Sequence, residues 1–156
     1  MTGIVCALDI EYQIIKSFFD VCEEKLLNNS YPIALCRDGQ ILIIRSGVGK
    51  VYAYNSCRAM YNNFNQITLI LSAGIAGGLS PAAQIGQIIL AKQIMEPFAA
   101  KWKSYDADIP QISPPLIRRF QPVRGNILCS NQVIRSAAIK NALYTKSAAI
   151  CVDMES

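Results

Sequence analysis

Short apolar runs alternate with apolar residues at helical spacing along this chain, and that order predicts strands alternating with helices. Residues 3–8 are a continuous apolar run and read as a buried strand. Asp9 stands where an N-cap belongs. Beyond it Ile10, Ile14, Phe18, Val21 and Cys22 repeat at helical spacing, so a helix over 10–27 is expected, ended by Asn28-Asn29-Ser30. Residues 33–36, the Asp38-Gly39 turn and residues 40–45 read as a hairpin. A helix over 50–64 follows, with Val51, Ala53, Tyr54, Cys57, Met60, Tyr61 and Phe64 on its apolar side.

The second half continues the alternation. Strands are expected over 67–72 and 87–94. Residues 96–115, broken by Pro97, Pro110, Pro114 and Pro115, read as a long irregular loop of the functional or mobile kind. A helical turn or two over 115–120, a strand over 124–130, a helix over 133–144 and a last strand over 148–152 complete the pattern. Alternation of this kind argues for an α/β fold with a largely parallel sheet.

Composition narrows the chemistry. A chain of 156 residues suits one domain, and 52% hydrophobic with 17% charged residues excludes disorder and leaves apolar surface for a partner. The net charge of +4 is spread without a basic block, which argues against a nucleic-acid partner. Histidine is absent. That removes Ser-His-Asp triads, Cys-His pairs and His-based zinc sites, and leaves acid-base work to Asp, Glu, Lys, Tyr or water. Six cysteines without a CxxC pair read as buried apolar residues in a reducing cytoplasm, not as a disulfide or metal framework. The first apolar run ends at Asp9, and no run reaches the roughly 18 residues of a membrane span. A cytoplasmic protein without cofactor or metal is expected.

Two glycine-rich turns follow predicted strands. Ser46-Gly47-Val48-Gly49-Lys50 has neither P-loop spacing nor a dinucleotide fingerprint; it reads as a tight strand-to-helix turn or as an anion site at a helix start. Ser72-Ala73-Gly74-Ile75-Ala76-Gly77-Gly78-Leu79 bares the backbone at a strand's carboxyl end, where open α/β sheets bind ligands; close backbone packing explains it equally well. Glu11 is either a dipole-favoured surface carboxylate or a general acid/base. Asp153 and Glu155 flank Met154 after the last strand. A carboxylate there can take both hydroxyls of a ribose, or simply be a hydrated acidic terminus.

Taken in order, Ala7-Leu8-Asp9-Ile10-Glu11, Ser46-Gly47-Val48-Gly49-Lys50-Val51, Ala73-Gly74-Ile75-Ala76-Gly77-Gly78-Leu79, Ile85-Gly86-Gln87-Ile88, Val123-Arg124-Gly125 and Val152-Asp153-Met154-Glu155-Ser156 resemble the purine nucleosidase/nucleoside phosphorylase family. The likeness is greatest to its methylthioadenosine/S-adenosylhomocysteine nucleosidase branch. The resemblance implies a three-layer α/β/α fold around a mostly parallel mixed sheet, and cleavage of a purine nucleoside at its N-glycosidic bond. It implies that Glu11 activates the attacking water and that Val152, Met154 and Glu155 hold the ribose. Val133 and Ile134 fall against the adenine, Val133 standing where the family usually has an aromatic residue. Ala76 and Gly77 fall beside the sugar and the nucleophile.

The family's purine-protonating Asp lies on a later strand. The resemblance therefore leads us to expect a single incomplete domain over 1–156, lacking the C-terminal strand and helices and having little or no activity alone. Phosphorylase relatives often place an Arg and a Ser where Ser72 and Ile75 stand here, which favours water over phosphate. Arg45 is then the candidate phosphate-binding cation, acting across a dimer. The expected partners are a purine nucleoside or adenine, with phosphate in the alternative, and a second copy of the chain. Methionine salvage is the metabolic setting implied. Two alternatives stay open: a phosphorolytic enzyme, including the branch acting on adenosyl-lipid substrates, and a non-catalytic truncated homologue that acts as a binding module.

Overall fold

A strand whose alternate residues face opposite sides can bury both faces only if each is covered, and the first strand meets that condition. The computed structural model describes residues 1–98, 101–109 and 111–156. These form two compact units, residues 1–75 with Glu155, and residues 76–154 with Ser156.

The first unit contains β1 (Thr2–Cys6), α1 (Asp9–Lys16), β2 (Val21–Leu27), β3 (Tyr31–Cys36), β4 (Ile41–Arg45), α2 (Lys50–Asn63) and β5 (Leu69–Ser72). The strand order is β2-β3-β4-β1-β5. β1 is central and runs parallel to β4 and β5, with Ile4 opposite Ile43 and Leu71. β2 and β3 extend the sheet in antiparallel fashion. Val5, Ile33, Leu42 and Ile44 pack against Ala59 and Met60 of α2. Their neighbours Ile4, Cys6, Ala34, Cys36 and Ile43 pack with Tyr12 of α1. The sheet is thus covered on both faces, a three-layer α/β/α arrangement within this unit. Each fully buried Ile or Leu side chain contributes about 1.5–3 kcal/mol to it.

The helix expected over 10–27 stops at Lys16, and Val21–Leu27 is a strand. Helical spacing in 10–18 is real, but Asn28 (φ 51°) and Asn29 (φ 54°) both take the left-handed conformation that a short hairpin turn requires. That turn folds the segment back onto β3, and the ladder outweighs the helix propensity of Glu23, Glu24 and Lys25. These charged residues blunt an exposed edge.

The second unit contains β6 (Gly77–Gly78), β7 (Ile89–Phe98), β8 (Lys101–Asp106), α3 (Pro114–Phe120), β9 (Val123–Cys129), α4 (Ala137–Ser147) and β10 (Ala149–Asp153). Their order is β6-β10-β9-β7-β8. β10, β9 and β7 are parallel, and the edges β6 and β8 are antiparallel. Leu79, Leu128, Ala149 and Val152 form the core, with Met95, Trp102, Leu143 and Tyr144 against it.

The α/β class follows the sequence reading, with parallel and antiparallel pairs mixed in both sheets. The loop expected over 96–115 is corrected: residues up to 98 and 101–106 belong to a β-hairpin, with Pro97 paired to Trp102 on the edge pair. A proline is tolerated near a sheet edge, so it did not break the strand. Ala99, Ala100 and Pro110 of that expected loop lie outside the described residues. The helix expected from Val133 begins at Ala137, where Ser136 caps it by accepting from the Ile139 N–H at 3.5 Å. Among the described residues, no helix is long and apolar enough to cross a membrane.

Candidate functional site

The first unit places Glu11 at the third position of α1, directly after β1. Helix starts leave backbone N–H groups without intrahelical partners. Here the Glu11 carboxylate turns back to serve them. Its Oε2 accepts from the N–H of Ala7 at 3.0 Å and of Leu8 at 2.9 Å, and its Oε1 accepts from the Ile75 N–H at 2.8 Å. The residue is 8% exposed. Asp9, expected as the N-cap, is instead the first helical residue, and the cap position is Leu8. Since Leu8 has no polar side chain, Glu11 supplies the missing acceptor.

Gly74 makes this arrangement possible. A Cβ at Gly74 would stand 2.7 Å from Glu11 Oε1. The second glycine turn therefore leaves side-chain space for a carboxylate, at the carboxyl ends of the parallel strands β1 and β5. Asp9 forms an ion pair with Arg45, Oδ1 to Nη1 at 2.5 Å. The Cys6 thiol is pushed up to about 12, first by burial and then by the Glu11 charge, so it is no nucleophile at neutral pH.

The first glycine turn does hold an anion, and the anion belongs to the chain itself. The Gly49 N–H donates to Glu155 Oε1 at 2.9 Å. Gly47 (φ 89°) and Gly49 (φ 107°) both take conformations that favour glycine. Ser46 is buried, and its hydroxyl is within hydrogen-bonding distance of the carbonyls of Cys6 (3.2 Å) and Gly47 (2.8 Å). Glu155 is thereby held, not left as a loose acidic end.

Within the second unit, Gly77 pairs with Val152 across the β6–β10 ladder, and a Cβ at Gly77 would meet Val152 Cγ1 at 3.4 Å. Close packing is thus realised at Gly77, while at Gly74 the bared backbone makes room for a carboxylate of the chain itself. Ile134 packs against the core cluster that includes Val152. Val133 is 64% exposed in the segment before α4. Ala76 precedes β6, and Met154 follows β10. Asp153 accepts hydrogen bonds from the Ser156 N–H (3.4 Å) and hydroxyl. Among the described residues, no cluster of three His, Cys, Asp or Glu could hold a metal.

Sequence reasoning placed Gly74 and Gly49 in its two glycine turns but missed their partners, along with the N–H donors of Ala7, Leu8 and Ile75. Backbone donors leave no side-chain signature. The glycines were visible, but which atoms would need their space was not.

The family profile described as the phosphorylase superfamily matches residues 2–156. A 5'-methylthioadenosine/S-adenosylhomocysteine nucleosidase of Staphylococcus aureus is 26% identical over 140 residues, covering 79% of this chain and 58% of the relative. The chain spans less than two thirds of the length of the curated relatives it matches. Among solved structures, a Helicobacter pylori nucleosidase variant with 5'-methylthioadenosine in its active site superposes with a TM-score of 0.82 at 20% identity, over 99% of this chain and 75% of that one. A futalosine hydrolase of the same organism gives 0.80 at 20% identity, over 99% and 74%. These similarities show the nucleoside phosphorylase-like fold.

Proposed function

The chain belongs to the phosphorylase superfamily, and from that premise we propose that the protein cleaves the N-glycosidic bond of a purine nucleoside by hydrolysis. The proposed substrate class is methylthioadenosine or S-adenosylhomocysteine, which the S. aureus relative's name specifies for that protein. The observation that carries the reading is the buried Glu11 carboxylate clasped by three backbone N–H groups.

A carboxylate offers about four lone-pair sites. Ala7 and Leu8 engage both sites on Oε2, and Ile75 engages one on Oε1. Oε1 is therefore the oxygen that receives a proton from water. The water oxygen bonds to C1′ of the oxocarbenium-like sugar as the C1′–N9 bond breaks. The base leaves with that electron pair and takes a proton from solvent to become neutral purine, and Glu11 returns its proton to solvent. Glu155, Met154 and Val152 hold the ribose in this scheme, Ala76 and Gly77 line the sugar, and Val133 and Ile134 face the adenine. The family profile spans both units, which supports treating 1–156 as belonging to one domain.

Water is preferred to phosphate as nucleophile. Arg45 is already paired with Asp9. Ile75 offers a backbone N–H to Glu11 and an apolar side chain that is 72% exposed. A dianion would have to compete with Asp9 for its cation. Cysteines that form no disulfide among the described residues support a reducing, cytoplasmic setting, with methionine salvage as the metabolic role. Ile10, Ile14 and Phe18, all more than half exposed along one side of α1 and just beyond it, support a second copy as partner; light scattering is expected to find a dimer, and a monomer at high concentration contradicts this.

Release of adenine from methylthioadenosine, with and without phosphate, tests the proposal. Adenine release is expected to be slow, as the family resemblance implies for this chain, and to proceed in phosphate-free buffer. A strict phosphate requirement would overturn the hydrolytic reading in favour of phosphorolysis.

A further inference from the structure

Gly49 stands at the cap of α2 with φ 107° and ψ 155°. An L-residue rarely adopts that φ, yet a Cβ built there meets nothing within 4 Å. The φ alone therefore asks for a glycine at this position, and crowding by neighbouring residues does not. The reason lies in what the backbone conformation does: it aims the Gly49 N–H at Glu155 Oε1, 106 residues away in sequence, at 2.9 Å. The turn is itself anchored, because the buried Ser46 donates its backbone N–H to the Cys6 carbonyl at 2.8 Å, and Ala53 donates to the Gly49 carbonyl at 3.0 Å. One face of the turn is thus fixed to β1 and the other to α2.

We propose that the Ser46–Gly49 turn is a positioning element for Glu155, its left-handed Gly49 directing one N–H onto Oε1 so that the carboxylate presents a fixed face to a sugar's vicinal hydroxyls. This rests on the reading of Glu155 as a ribose-binding residue. A hydrogen bond to an ionised group contributes about 1.5–3 kcal/mol, and the bond to Gly49 occupies one of the carboxylate's roughly four lone-pair sites. A carboxylate fixed through one oxygen loses the freedom to swing, so a diol meets it preorganised. Gly49 touches no substrate in this scheme and acts only through Glu155.

The test compares Gly49→Ala with Gly39→Ala in the full protein. Gly39 lies in the β3–β4 turn of the same unit, has φ +81° and likewise has nothing within 4 Å of a built Cβ, so it imposes similar backbone strain away from Glu155. With methylthioadenosine, Gly49→Ala is expected to raise KM about tenfold, the loss of one charge-assisted bond, with kcat changed much less. With the 2′,3′-dideoxy analogue, which lacks the diol, the difference from wild type is expected to vanish. Gly39→Ala is expected to leave both KM values unchanged. Equal effects of the two variants on both substrates overturn the proposal.

The Gly49 amide resonance gives a second readout, independent of turnover. Glu155→Gln is expected to move it upfield, because a neutral acceptor replaces a charged one. An unmoved resonance overturns the proposal even in an active enzyme. If wild-type protein turns over no nucleoside, the dissociation constants of methylthioadenosine and its dideoxy analogue replace KM with the same expected pattern, a wild-type protein that binds neither overturns the sugar-binding role, and the amide resonance still decides whether the turn holds the carboxylate.

Discussion

A carboxylate that accepts three backbone N–H bonds is oriented before any substrate arrives. In Glu→Gln substitution one oxygen becomes an NH₂. Placed at Oε2 it would face the donors of Ala7 and Leu8, and placed at Oε1 it would face only that of Ile75. The Oε1 site is therefore preferred, which removes the acceptor from the oxygen assigned to water. Glu11→Gln is expected to lower stability by about 1–3 kcal/mol, the cost of an unpaired buried donor, in a thermal melt. Gly74→Ala reaches the same carboxylate from outside. Its Cβ would stand 2.7 Å from Oε1, so either Glu11 or the chain after β5 must move. A shift of that size is expected to reduce kcat at least about tenfold. Wild-type kcat in Gly74→Ala would mean that the observed Glu11 position is not the working one.

At the scale of elements, packing and ladder register decide where local propensity is followed. Gly125 on β9 lies against Ile150 on β10, where a Cβ would come within 2.3 Å of Cδ1 and 2.7 Å of Cγ1. Gly125→Ala is expected to destabilise the protein by about 1–3 kcal/mol through overpacking, measured by urea denaturation. An unchanged midpoint would show that Ile150 swings aside freely. The strands β1 and β4 were legible as apolar runs because both faces of a central strand are buried, whereas β5 at the sheet's edge was legible from its apolar run alone. β2 was not legible: its charged, exposed residues fit a helix as well as an edge strand, and the Asn28-Asn29 turn decided between them. β8 was hidden by prolines and by the polar residues of an edge. β6 is two glycines long and carries no periodicity. Glu11, Gly77, Val152 and Glu155 stood out as candidates through their types and neighbours. Their partners did not, since a 106-residue separation between Gly49 and Glu155 leaves no local pattern.

At the scale of the whole molecule, stability and activity give separate readouts. Burial raises the Cys6 thiol from 9.0 to about 12 and the Cys151 thiol from 9.0 to about 11. The folded chain then keeps protons that the unfolded chain releases above pH 9. The contribution to stability is complete below that value and is lost as pH rises through the folded values, between about 9 and 12. Urea midpoints are expected to fall steadily from pH 9 to pH 11, and a flat profile would contradict the burial of both thiols. The central claim is that Glu11 serves water as a base. The most direct measurement is adenine release from methylthioadenosine in phosphate-free buffer, by the wild-type protein and Glu11→Gln in parallel. The account predicts turnover by the wild type that added phosphate does not raise, and a loss of about 10²–10⁴-fold in the variant. Turnover that requires phosphate, or a Glu11→Gln variant as fast as the wild type, would contradict it.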